Sequence, residues 1–431
     1  MFAHHVCSWD QLPVEVKFGI VELLDAQDVQ AFSRVSKQAY TLAVPALWRV
    51  IDLKSIEAVL SYLGSVPPSY HRYIRDLSIC TKSASATHAR DHAAVSEQCC
   101  QLLSQCTQLE RLTLNLAAAL DKSVIPCFTD LRALRILAIN HCGDEQISPL
   151  SERLVVSIAA SVPDLKELSL DRITRSAVHA PELIGAYPFV PVVQGDEAIP
   201  SHPVLGSELS LPSLLRLQTL KKLRIRDTHL GDPKWAVTPI CCSLEFLDLG
   251  SCYHESQDYN RVCTERIVGN VGHTVDEFSL NTAISTETYS FEKPKETPLK
   301  KLRKIHLTPL FPVENVVDTL ATLSGSPVEE LSIRCHEDDV ADMCAALQDF
   351  MTLCDERKES DFYKRLAHIK VATVTDIYDG ATPLAADAQS FRAPCIDIPA
   401  DPAVAIPRLQ EYCEGLSCSE SCGTESTCSA A

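Results

Sequence analysis

The sequence predicts an α/β chain in three parts: a three-helix unit at residues 8–53, an array of short strands and helices at 54–378, and an acidic tail at 379–431. Three observations carry this division. The first fifty-odd residues place apolar side chains at helical spacing, between residues suited to start and stop helices. Beyond residue 70 a triplet of the form apolar-x-x-apolar-x-apolar keeps returning, as expected of a repeated supersecondary unit. After Gly380 bulky aliphatic residues give way to Ala, Pro and Asp, then to Ser, Cys and Glu, a composition that cannot repay the entropy of ordering.

In the N-terminal unit Pro13 suits a first helical turn, where its missing N–H is not needed. Val16, Ile20, Leu23 and Leu24 then recur as one apolar face. Gly19 weakens this helix by about 1 kcal/mol without ending it. Asp25, with Asp28 three residues on, is placed to cap a second helix carrying Val29, Phe32 and Val35. Ser36 can cap a third, which runs through Tyr40 and is expected to stop near Pro45. So short a unit buries too little apolar surface to stand alone, so a partner or the following domain should cover part of it. The order Trp9-Asp10-Gln11-Leu12-Pro13, apolar stripe, Val35-Ser36-Lys37-Gln38-Ala39-Tyr40 and Pro45-Ala46-Leu47-Trp48 resembles the F-box. That resemblance implies docking on the Skp-type adaptor of a cullin-RING ubiquitin ligase, with Leu12, Pro13, Ile20, Leu24 and Val35 as the adaptor contacts.

The apolar triplets are Ile74-Leu77-Ile79, Leu109-Leu112-Leu114, Leu134-Leu137-Ile139, Leu165-Leu168-Leu170 and Leu220-Leu223-Ile225, followed by Leu244-Leu247-Leu249, Val275-Phe278-Leu280, Leu302-Ile305-Leu307, Val328-Leu331-Ile333 and Leu366-Ile369-Val371. Most keep polar residues at all three intervening positions, and several starts lie 24 to 27 residues apart. Such units resemble an irregular leucine-rich-repeat solenoid, which implies a curved parallel sheet inside and helices and loops outside. Residues 151–162 and 313–323 carry the helical spacing expected of returning segments. The asparagine usual after the third apolar position of such repeats is absent, with Cys142 and Cys252 there in two of them. Between the fourth and fifth triplets, at about 178–213, prolines interrupt regular structure, and this excursion is either a target-contacting loop or a degenerate repeat.

Composition narrows the function. The chain has 431 residues, 46% of them hydrophobic, enough for a large core. Its net charge of −18 argues against non-specific binding to nucleic acid or to an anionic membrane. With no long apolar run and no signal-like start, the nineteen cysteines are expected as buried or free thiols in an intracellular setting, cytoplasmic or nuclear. Two clusters invite a metal reading: Cys413, Cys418, Cys422 and Cys428 in the tail, and His4, His5 and Cys7 at the start. The first lacks paired C-x-x-C knuckles and the second sits at a terminus, so no metal and no cofactor is expected. None of the phosphate-loop, dinucleotide, zinc-protease or nucleophile-elbow motifs occurs, so the chain does not read as an enzyme.

The function expected from the resemblance is substrate recognition in an SCF-type ligase, or alternatively a non-degradative protein-binding scaffold. Side chains flanking the core leucines of a strand face outward together. Lys222, Arg224 and Arg226, then Lys304, His306 and Arg334, are therefore expected to form a basic target-binding patch for an acidic or phosphorylated segment.

Overall fold

A computed structural model describes residues 9–83, 92–284, 299–356, 365–374, 395–399 and 401–421. They divide into two compact units, one formed by residues 1–166 with 193–209, the other by 167–192 with 210–431.

The first unit opens with three helices: α1 (Val14–Glu22), α2 (Ala26–Ser33) and α3 (Lys37–Leu47). The expected caps are in place: the Asp25 carboxylate accepts from Asp28 N at 2.8 Å, and the Ser36 hydroxyl accepts from Ala39 N at 3.0 Å. Pro45 does not end α3, which continues to Leu47. Its fixed φ is already helical, and Ala46 and Leu47 beyond it pack on the core of Val21, Val29, Leu42 and Ala43. A strand absent from the sequence reading follows at once, β1 (Val50–Leu53). It pairs in parallel with β2 (Asp76–Cys80), which pairs with β3 (Arg111–Leu116) and then β4 (Ile136–His141). Arg49 O accepts from both Arg75 N and Asp76 N, so the three-helix unit runs directly into the ladder. The indole of Trp48 stacks on Tyr70 with centroids 5.3 Å apart, fastening the same junction.

Helices α4 (Ile56–Ser65), α5 (His92–Gln105) and α6 (Glu152–Ser161) lie between the strands in sequence. Ser151 caps α6, where the sequence places a helix. The second half of the proline-rich excursion is built onto this end of α6. Asp196 accepts from the Ser151 hydroxyl at 2.5 Å, and the Arg153 guanidinium donates to Asp196 O at 3.3 Å and Ile199 O at 3.3 Å. Every one of these groups is buried, so their hydrogen bonds hold irregular backbone that has no sheet to satisfy it.

The second unit repeats the parallel ladder: β5 (Glu167–Asp171), β6 (Lys222–Arg226), β7 (Phe246–Leu249), β8 (Glu277–Leu280), β9 (Lys304–Leu307), β10 (Glu330–His336) and β11 (His368–Val374). The central apolar residues stand in register, Leu168 beside Leu223, Leu247, Phe278, Ile305, Leu331 and Ile369. All members of the triplets named above are buried in both units, because a strand alternates its faces and each triplet aims two residues the same way. Helices α7 (Gln257–Val271), α8 (Val316–Thr322) and α9 (Val340–Glu356) follow strands β7, β9 and β10 in sequence. The helix expected at 313–323 is a 3-10 turn at Val313–Asn315 continued by α8. Gly250 permits the close approach of the backbone around Arg226, since a Cβ there would lie 2.9 Å from Arg226 Cα.

Asn260 fastens the turn that follows β7. Its buried amide accepts from Cys252 N at 2.9 Å and donates to Cys252 O at 2.9 Å and Ser256 O at 3.1 Å, holding the turn after β7 from the helix that follows.

The tail expected to be disordered from 379 is partly built. Strand β12 (Cys395–Pro399) adds to β11 in the antiparallel sense, and α10 (Pro402–Ser421) follows and lies against α9. Ile398, Ala405 and Leu409 are 0% exposed, so a few well-spaced apolar residues suffice when they also cover a sheet edge and a helix already present. The stretches 375–394 and 422–431 lie outside the described residues, as do Cys422, Cys428, His4, His5 and Cys7. Among the described residues no helix is long and apolar enough to cross a membrane.

Candidate protein-binding surfaces

The N-terminal helices present one candidate surface. Helix α1 is apolar on two sides, and the module covers only one of them. Val21 is buried, with Phe18 and Leu24 packed against the same core as Trp9 and Phe32. Lys17 also turns inward, with its ammonium 5.9 Å from the Trp9 ring centre. The opposite side keeps Val16, Ile20 and Leu23 in the open, Leu23 at 87%, and Val14 and Tyr40 are exposed as well. Val35, just past α2, is 76% exposed.

The adaptor contacts expected from the sequence therefore separate. Pro13, Ile20 and Val35 are exposed and Leu12 is half-buried, all available to a partner. Leu24 is half-buried like Leu12, but it packs against the core of Val21 and Val29, so the apolar residues from Val16 to Leu24 do not form one continuous open stripe. Sequence reasoning placed Leu23 on the apolar face but did not name it, Val14 or Tyr40 among the partner contacts. The signal was there: a helix apolar on both sides is one that will be covered on both.

The second candidate surface is the open face of the sheet in the second unit, lined by the residues between the core positions. The cations expected there are present but not as a basic patch. Lys222 Nζ lies 3.0 Å from Glu167, Lys304 3.8 Å from Glu330, and His306 2.8 Å from Glu277, each on a neighbouring strand. Lys370 adds a second cation to Glu330 at 2.9 Å. Arg224 and Arg226 share one carboxylate, Asp248, at 2.6 and 2.9 Å. Arg334 is exposed one repeat further on. The face is thus a ladder of alternating charge, because strands in register bring like positions side by side and opposite charges there stabilise the pairing.

Electrostatics follow that pairing. Asp248 is fully buried, which alone would push its carboxyl up, yet the charges of Arg226 and Arg224 and their hydrogen bonds outweigh burial and hold it below the usual carboxylate range. Glu277 is held low chiefly by its hydrogen bond with His306, against the opposing effect of burial. For Glu330 burial again opposes, and the hydrogen bond from Lys370 with the charge of Lys304 prevails. An acidic ligand on this face would have to displace carboxylates already in place.

The excursion supplies a third surface. Between the buried residues Ala180 and Val190 the chain turns outward with Ile184, Tyr187 and Phe189 exposed. Buried Arg175 fixes the base of this turn, donating to Asp232 at 3.1 Å.

Comparison with known families matches residues 9–54 to the F-box-like family. The chain therefore carries an F-box-like domain, and its span coincides with α1 to α3 and β1. No curated protein matches the chain.

Proposed function

We propose that this protein is the substrate-recognition subunit of an SCF-type cullin-RING ubiquitin ligase. Its F-box-like domain binds the Skp-type adaptor through Leu12, Pro13, Ile20 and Val35, joined by Leu23 and Val14, and its repeats bind a target protein. The observation that carries this reading is the uncovered second side of α1 within a domain of that family. An apolar surface of this kind on a small helical module is a partner's footprint.

The remainder of the chain is read as leucine-rich repeats of an irregular kind. In support, buried triplets stand in register on parallel strands, with helices between many of them. The chain itself performs no chemistry in this reading. It holds a target close to a ubiquitin-charged enzyme, and tethering converts a rare bimolecular encounter into a local one. The proposed setting is intracellular, where the ligase operates.

The test is direct. Purified full-length chain is titrated with a Skp-type adaptor, and the complex is probed for cullin. Ile20→Asp with Val35→Asp should abolish adaptor binding while leaving thermal unfolding unchanged, since both side chains are exposed. Failure of the unsubstituted chain to bind adaptor would overturn the reading. Adaptor binding without cullin would leave the non-degradative scaffold in its place.

A further inference from the structure

The target surface is the open question, because the cations of the sheet face already hold carboxylates. The excursion offers a different chemistry. Tyr187 is 99% exposed, Phe189 58% and Ile184 52%. With Leu183, Gly185, Ala186 and Pro188 they form an unbroken run without a single charge. Isolated exposed apolar residues are ordinary, but a consecutive run of them on a surface is a liability unless something covers it.

This run is also built. Its base is pinned by buried Ala180 and Val190, and by Arg175, which reaches both Asp232 and His179 O. Within it Ile184 N donates to Pro181 O and Ala186 N to Leu183 O, each at 3.2 Å. These hydrogen bonds hold the backbone from Pro181 to Ala186 while Ile184, Tyr187 and Phe189 stay exposed, so part of the ordering cost is met before any partner arrives. Tyrosine and other aromatics in such a setting are the residue types that anchor protein interfaces.

Charge indicates the partner. From Ser176 to Val192 the sequence contains Glu182 and no lysine or arginine. Glu182, exposed beside the run, is its nearest acidic residue in sequence, and the whole chain carries −18. A second copy would bring like charge to like charge. The matching surface is an apolar groove with a cationic rim.

Resting on the receptor reading above, we infer that residues 183–189 form the target-docking tip, inserting Ile184, Tyr187 and Phe189 into an apolar groove of the target that is bordered by lysine or arginine.

The experiment uses the full chain with Ile20→Asp and Val35→Asp, which holds a target without passing it to a ligase, and the same chain with Ile184→Ser, Tyr187→Ser and Phe189→Ser added. The protein retained from cell extract by the first is purified and titrated against both, with amide exchange mapped across 183–189. The inference expects roughly a hundredfold weaker binding by the tip variant, as for loss of an aromatic anchor cluster. It also expects slowed exchange at 183–189 in the complex of the first chain. Glu182→Lys should weaken binding further at low salt than at high salt. Equal affinity for both chains overturns the inference and leaves the receptor reading intact, with Lys222→Ser, Arg224→Ser and Arg226→Ser then testing the sheet face. A concentration-dependent dimer of the first chain that the tip substitutions abolish also overturns it, because the occupant is then a second copy. If neither chain retains a protein while the unsubstituted chain binds adaptor, the tip is no docking surface. If the unsubstituted chain fails to bind adaptor, the receptor reading falls whatever the tip does.

Discussion

Replacing Asp248 by asparagine removes one charge and almost no volume, and its consequences can be worked out from the geometry. The carboxylate is 0% exposed and is shared by Arg224 at 2.6 Å and Arg226 at 2.9 Å. Removing one partner of a buried ion pair typically costs about 3–5 kcal/mol, mostly through the charge left behind. Here the two guanidiniums keep 15% and 21% exposure and can recover some hydration, which lowers the expectation to about 2–3 kcal/mol. With a urea dependence of about 2–3 kcal/mol per molar, the midpoint for the second unit should fall by about 1 M at neutral pH. The pH dependence has a defined sign. The folded carboxyl is held below its ordinary value, so its contribution is fully present above the unfolded value near about 4 and is lost as pH falls through the lower folded value. The gap between the native chain and Asp248→Asn should therefore narrow as pH falls below about 4. Urea unfolding followed by circular dichroism across this range is the assay. The exposed pair of Arg75 and Glu110, 2.7 Å apart, provides a control, where Glu110→Gln should cost at most about 1 kcal/mol. A variant at position 248 that unfolds at the native midpoint, or a gap that ignores pH, would refute the account of a buried charge held by two arginines.

Other substitutions separate the roles assigned above. Leu24→Ala should cost the N-terminal module about 1–2 kcal/mol of stability in thermal melts, because that side chain packs on Val21 and Val29, whereas Leu23→Ala should leave the melt unchanged and weaken adaptor binding measured by calorimetry. Asn260→Ala should lose about 1–3 kcal/mol for each buried group orphaned around Cys252, read as a lower urea midpoint. Leu409→Ala, at a position 0% exposed on α10, should destabilise the second unit by about 2–5 kcal/mol; no effect on unfolding would restore the expectation of a disordered tail.

The binding surfaces were legible to different degrees. Leu12, Pro13, Ile20 and Val35 were named as what the resemblance to the F-box implies, and Pro13, Ile20 and Val35 are exposed with Leu12 half-buried. Leu24 could not be assigned, since α1 carries apolar residues on two sides and spacing does not say which side meets the core. The Lys17 ammonium over the Trp9 ring shows why: a nominally polar residue took an inward place that the pattern reserved for an aliphatic one. On the sheet the identity of the outward residues was readable from alternation, but their electrostatic sign was not. Glu167, Asp248, Glu277 and Glu330 lie tens of residues from the cations they neutralise, and only register brings them together.

What the sequence determined by itself was everything written in local period: the caps at Asp25 and Ser36, the helix within 151–162, the strand triplets, and the side of each strand that faces inward. These depend on the geometry of neighbouring residues, which the chain order specifies completely. What tertiary structure decided was every contact between distant segments. It placed β1 on β2 and α10 on α9, seated Asp196 on Ser151 and Arg153, and gave Arg224 and Arg226 a common carboxylate. Burial and pairing of that kind depend on which surfaces the folded chain brings together. A residue such as Ile398 or Asp248 has no fixed role until its neighbours across the fold are in place.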